Sequence, residues 1–459
     1  MKKIFIILIT LFSAFSVSAQ HNHRTGYFLD GYTYKYKLNP AFGADRGYFA
    51  IPVVGFTSIA LETPLQLSGL LYPTGNNGNL VTFLDPSVSV EDVMKGVKKM
   101  NPINVNADLS LISFGFNSKK SFHTLDLSVK ADARLNVPGT LFSWAKECNG
   151  ALDMSKLGLN ADARLELSYG YSREILENAR FGVRVKLLAG LAKAQYQMDK
   201  LQLSVAQDKW IVESVGGGYY ALPISGSESP EDPNGIIDNL LSARNFGAAV
   251  DLGFSMDILK YMTVSASITD LGVIAWNNVS MLATPEGSWT YDGFKGIGNE
   301  EMDWNEQLGT LGDELLNLVY PSVTSEGVKK LDMLSMTAHL GLEVRMPFWQ
   351  RLSVGALGSA RFDGPYSWYE GRASVNCALF RWLSFSGSYA YSTYGESYGT
   401  AINFHPGGLN LFVGIDSFKP ILNMTPQYVP IDSFNTNLAL GLNLAFGKYH
   451  GRYPKKSKK

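Results

Sequence analysis

The chain has 459 residues, of which 18% are charged and 12% aromatic, with 45 glycines and a formal net charge of −1. Charged residues fall well below the roughly 25% of an ordinary soluble domain, and the near-neutral balance argues against a nucleic-acid partner. Two cysteines, Cys148 and Cys377, are too few for a disulfide framework, and their positions leave open whether they pair.

Residues 1–19, MKKIFIILITLFSAFSVSA, have the three parts of a secretory signal peptide: basic Lys2 and Lys3, an apolar run, and a small-x-small end at Val17-Ser18-Ala19. Cleavage is expected after Ala19, and no cysteine follows to carry a lipid. Beyond it, charges interrupt every apolar stretch, and none reaches the ~20 residues of a membrane helix. An exported chain of this kind is either soluble or a barrel.

Residues 20–46 precede the first strand and contain LNPAF at 38–42. From there the expected strands are 47–61, 106–117, 122–137, 157–171, 180–197, 243–257, 260–276, 335–347, 350–362, 368–379, 382–393, 399–405, 408–417 and 434–447. The segment 122–137 shows why. Leu125, Leu127, Val129, Ala131, Ala133, Leu135 and Val137 alternate with Asp126, Ser128, Lys130, Asp132, Arg134 and Asn136. The same alternation sets Asp162, Arg164 and Glu166 against leucines at 159–171, and Arg180, Arg184 and Lys186 against Val183, Val185 and Leu187. It recurs with His339, Glu343 and Arg345 at 335–346.

Alternate side chains of a strand face opposite sides. Soluble strands run about 5–6 residues, whereas a tilted strand crossing a bilayer needs about 9–11. Repeated runs of membrane length predict an all-β, transmembrane antiparallel barrel of about fourteen strands (range 12–16). Its leucines face lipid and its charges face a wet lumen. The segment 200–216 reads as one more hairpin, either projecting as a loop ribbon or completing a sixteen-stranded barrel.

Short turns (117–121, 257–261, 346–350, 379–382, 405–408) alternate with long connections (62–105, 138–156, 198–243, 278–334, 418–433). In bacterial barrels the short turns are periplasmic. Tyr261, Phe348, Trp349, Phe380 and Trp382 flank them as a predicted aromatic girdle. Helical spacing at 90–99 and 308–319 predicts short helices in the extracellular loops. The barrel is expected over 47–447, followed by a basic tail at 448–459.

The Asn-Pro-Ala segment at 39–41, with NFGAAVDLGF at 245–254, TDLGVIAW at 269–276 and NLALGLNLAFGK at 437–448, resembles the FadL-type outer-membrane barrels of Gram-negative bacteria. More closely, the chain resembles an uncharacterised group of them defined only as a domain of unknown function. The resemblance implies fourteen strands and an N-terminal plug, for which Asn39, Pro40, Ala41 and Phe42 are the candidate residues. Pro40 alone also fits a simple turn. The resemblance further implies outer-membrane passage of small hydrophobic molecules, or partnership in protein export to the surface. Outer-membrane lipid, a small hydrophobic ligand and an envelope protein are the expected partners. The stretch 20–46 is short for a full plug.

The lumen candidates are Asp126, Lys130, Asp132, Arg134, Asp162, Arg164, Glu166, Arg184, Glu343 and Arg345. They fit a salt-bridge network filling the lumen or an electrostatic constriction. No catalytic role is assigned: His339 near Glu343 is the only base–acid suggestion, and HExxH and CxxC are absent. His21 and His23 lack a third ligand, so no metal or cofactor is expected. A continuous apolar pocket would favour a carrier, and a tightly filled lumen would favour an interaction barrel.

Overall fold

The computed structural model describes residues 23–52, 54–74, 79–147, 151–205, 209–222, 244–284, 287–291, 320–418 and 435–450. Among them, fourteen antiparallel staves close into a barrel. The first stave is split into Gly47–Ala50 and Thr57–Glu62. The others are Met100–Ser118, Ser121–Pro138, Gly158–Leu176, Ala179–Val205, Phe246–Leu259, Met262–Ala283, Met336–Met346, Trp349–Phe362, Trp368–Phe380, Leu383–Ser392, Gly395–Phe404, Leu409–Ile415 and Thr436–Phe446. Closure is made by the last strand against the first stave, with Gly47 opposite Phe446 and Thr57 opposite Leu440. A closed sheet leaves no unpaired edge in lipid.

The alternation sorts the two faces. Leu125, Leu187 and Leu340 are 46%, 61% and 63% exposed, while their neighbours Asp126, Lys186 and His339 are buried. The exterior is the apolar band of a membrane-spanning barrel. Phe348, Trp349, Phe380 and Trp382 are exposed at the short-turn end, and the Phe380 and Trp382 rings stack at 5.1 Å. Tyr369, Tyr391 and Phe362 are exposed at the opposite end. No described helix is long and apolar enough to cross a membrane, which says nothing against strands.

Several boundaries differ from those read in sequence. The expected strand 47–61 is interrupted between Ala50 and Thr57, where Pro52 sits. Ala179–Val205 and Met262–Ala283 run 27 and 22 residues, about twice what a bilayer needs. Their upper halves leave the membrane, so parts of the expected connections 198–243 and 278–334 are strand instead. Trp210–Ala221 pairs with Lys193–Val205 and, at Gly217–Tyr220, with Ser280–Ala283. Ser322–Met333 pairs with Val273–Ala283. The hairpin at 200–216 is therefore a projecting ribbon, and the barrel has fourteen staves.

The helix expected at 90–99 spans only Val90–Lys95, because Gly96 caps it. Ser89 accepts the Asp92 N–H at its N-terminus, a usual N-cap. A second helix, Thr140–Glu147, lies where only a connection was expected. The two meet through an apolar cluster of Leu65, Val88, Val93 and Val97, with Phe83 and Phe142 packed on it. The segment 308–319 lies outside the described residues.

Candidate functional site

Residues 23–46 run inside the barrel. Two 3-10 turns, Arg24–Gly26 and Thr33–Lys37, compact the segment. Around it Tyr27, Leu29, Tyr32, Tyr34, Tyr36 and Leu38 are buried. The Tyr32 ring stacks on Phe412 at 4.0 Å, and Tyr34 meets Phe56 at 4.8 Å.

Buried polar groups need partners, and this segment finds them on staves all round the wall. The Lys37 ammonium donates to both oxygens of Asp108 at 2.9 Å. Tyr36 donates to Asp126 at 2.7 Å. The Arg24 guanidinium grips Glu370 through Nε at 2.9 Å and Nη2 at 3.0 Å, and reaches Glu62 at 3.1 Å. Such bidentate charge-assisted pairs fix geometry as well as energy. Asp416 accepts from the backbone N–H groups of Arg24 and Thr25 at 2.9 and 2.8 Å.

Of the plug candidates, Asn39, Pro40 and Ala41 are buried and Phe42 is half-buried. Asn39 donates to the Tyr27 hydroxyl at 3.1 Å and to the Phe254 and Ala266 carbonyls, and accepts from the Ala41 N–H at 3.0 Å. The wall yields here. A Cβ on inward-facing Gly182 would lie 2.1 Å from the Pro40 carbonyl oxygen, and one on Gly253 would lie 2.2 Å from Asn39 Oδ1.

The lumen candidates form a dense network. Lys130 pairs with Glu166 at 3.0 Å. Arg184 reaches Asp126 at 3.3 Å and Glu166 at 3.5 Å. Arg164 holds Asp162 at 2.5 Å and Asp132 at 3.2 Å. Arg134 pairs with Asp132 at 3.2 Å and also with Asp363. Arg361 makes Asp132 the meeting point of three guanidinium groups. Glu343 is buried in the lumen. Arg345 instead sits at the short-turn rim, beside Thr263 at 3.0 Å and Asp257 at 3.5 Å. His339 shares a 2.9 Å hydrogen bond with Ser359.

The sequence reading missed the segment's own anchors, Arg24, Thr25, Tyr36 and Lys37, and the wall groups Asp108, Asp251, Asp270, Glu370 and Asp416. Lys186 joins Asp251 and Asp270 at 2.7 and 2.6 Å. Asp108 was within reach of the alternation in NVNADLS. Asp270 was not, because it has a φ of 60° beside a register shift, which breaks the strand's parity.

Among the described residues, cavities of about 40 and 30 Å³ lie in the lumen. Polar and charged groups line both: Arg24, Arg164 and Asp270 in the first, Asp132, Arg134 and Lys193 in the second. At the short-turn rim, burial holds His405 below the usual histidine pKa. No group of three or more His, Cys, Asp or Glu among the described residues could hold a metal. Cys377 is unbridged, and Cys148 lies outside the described residues.

A family model described as a family of unknown function, DUF5723, matches residues 40–416. The chain belongs to this family. No curated protein matches this DUF5723 barrel. Among solved structures it is similar to the toluene transporter TbuX of Ralstonia pickettii, at 9% identity and a TM-score of 0.44, covering 94% of this chain and 100% of that one. It is similar to a Pseudomonas aeruginosa FadL homologue at 10% identity and a TM-score of 0.41, covering 94% and 99%. The translocator domain of the Neisseria meningitidis autotransporter NalP matches at 7% identity and a TM-score of 0.32, covering 88% and 90%. Likeness of this size carries nothing about substrate.

Proposed function

We propose that this protein is an outer-membrane barrel, exported by a signal peptide cleaved after Ala19, that stands closed and works as an interaction platform supporting protein export to the cell surface. The filled lumen carries the reading. Cavities of about 40 and 30 Å³ among its described residues compare with the ~150 Å³ that holds one benzene and the ~10–15 Å³ that holds one water. Its inward charges are occupied by one another and by residues 23–46. The ribbons continuing the staves beyond the membrane supply the working surface.

Passage of small hydrophobic molecules is the second reading. The FadL-type resemblance suggests it, and an apolar cluster at the outer ribbon favours it: Met198, Leu201 and Val212, with Met154, Leu157 and Trp289 packed on it. Methionine-rich clusters adapt to varied apolar partners. Such a molecule would be captured there and take a route that leaves residues 23–46 in place.

A disulfide lock separates the readings from a gate. Thr25 and Ser388 share a 2.7 Å hydroxyl hydrogen bond, so T25C/S388C in a C148S/C377S background should tie the segment to the wall. Cells lacking the protein should lose one or more surface-exposed proteins, and the locked barrel should restore them. An unchanged surface proteome, with uptake of hydrophobic compounds lost instead, would overturn the platform in favour of the carrier.

A further inference from the structure

The short-turn rim of the barrel carries charge that the lumen network does not use. Lys119 and Lys120 form the two-residue turn between Ser118 and Ser121, with Lys119 at a φ of 53°. Arg173, Lys260 and Lys448 are exposed at the same end. The Lys260 ammonium stands 5.3 Å from the Tyr261 ring centre. Two of the rim's carboxylates are engaged locally: Asp257 with Arg345, and Glu174 with Arg180 at 3.1 Å. Glu177 is also exposed there, which leaves the balance basic.

These cations share the short-turn rim with Trp349 and Trp382, both exposed in the girdle. Aromatic girdles mark the depth of the headgroups. The apolar band fixes lipid as the neighbour on this face, and at that depth the neighbour's charged atoms are phosphates. We propose that this rim is a binding belt for anionic phospholipid headgroups of the inner leaflet, with Lys119, Lys120, Arg173 and Lys260 as its phosphate-facing cations. The belt orients the barrel and gathers an anionic annulus. It does not depend on whether the barrel serves as a platform or a carrier.

The test uses the full chain in phosphatidylcholine vesicles carrying trace spin-labelled phosphatidylglycerol or spin-labelled phosphatidylcholine. The fraction of each label immobilised by the protein is read. One basic side chain at an anionic surface weighs about 1 kcal/mol, so a preference for the anionic label of about fivefold is expected. It should collapse toward equality in K119N/K120N/R173Q/K260Q, where asparagine suits the positive φ of residue 119. It should also collapse in wild type at about 1 M salt, where screening acts within about 3 Å. Equal immobilisation of both labels by wild type overturns the proposal, as does a preference that survives high salt. The salt series keeps the test decisive if the fourfold variant fails to fold.

Discussion

Lys37 of the N-terminal segment and Asp108 of the barrel wall form a buried ion pair, the ammonium nitrogen 2.9 Å from both carboxylate oxygens. Both side chains are at most 1% exposed. Together with Arg24 on Glu370 it joins the segment to the wall electrostatically, while the tyrosines fill the space between.

Breaking that pair from one side strands a buried charge. Asp108→Asn or Lys37→Met should lower stability by about 3–5 kcal/mol, and K37M/D108L together should recover much of the loss. Urea midpoints in detergent micelles check this. Equal losses in single and double variants would mean that packing, not charge, holds the segment.

Gly182 and Gly371 make a matched pair. Gly182→Ala would set a Cβ 2.1 Å from the Pro40 carbonyl oxygen, and overpacking of this kind costs about 1–3 kcal/mol. Gly371 has nothing within 4 Å of its ideal Cβ, so G371A should stay within about 0.5 kcal/mol of wild type. The same midpoints decide it. A mild G182A would mean that the segment shifts freely in the lumen.

Period-two alternation was enough to sort Asp126, Lys130, Asp132, Arg134 and Arg184 from their lipid-facing neighbours, because a strand's geometry is local. It could not say what those charges meet. Lys37 and Asp108 lie 71 positions apart, and no spacing rule links a 3-10 turn to a stave across the lumen. Parity failed where the chain bulges, so Asp270 and Trp276 were not read as facing inward. Strand ends were misjudged where alternation ran past the membrane, as in Ala179–Val205. There the ribbon's own pairing, not the bilayer, sets the length. Residues 23–46 are few, and their aromatic side chains and the wall's inward glycines let them fit closely against the staves.

Asp132 and Asp162 should respond differently to neutralisation. Asp132 faces Arg134, Arg164 and Arg361 and is almost fully buried, so D132N should cost about 3–5 kcal/mol. The Asp162 side chain is 14% exposed and pairs with Arg164 alone among the ion pairs described. D162N should cost clearly less than D132N. Thermal unfolding of the two variants side by side would check the order, and a reversed order would contradict the network.

His405 should make the barrel acid-sensitive. Burial holds its folded pKa below the unfolded value of about 6.5, against a smaller upward pull from Asp45. The unfolded chain therefore binds the proton more readily in the window just below pH 6.5. The contribution is complete above that pH and is lost as pH falls through the folded pKa. The gap in urea midpoint between wild type and H405Q should narrow from pH 7.5 to pH 5. A gap that widens on acidification would contradict the sign.

Planar-bilayer conductance of the refolded full-length protein tests the closed lumen most directly. Wild type should show no steady conductance, and a steady open channel should appear once residues 23–45 are deleted from an otherwise folded barrel. A steady wild-type conductance that changes when Arg134 or Arg164 is neutralised would contradict the closed lumen, and would make the barrel an open, charge-selective pore.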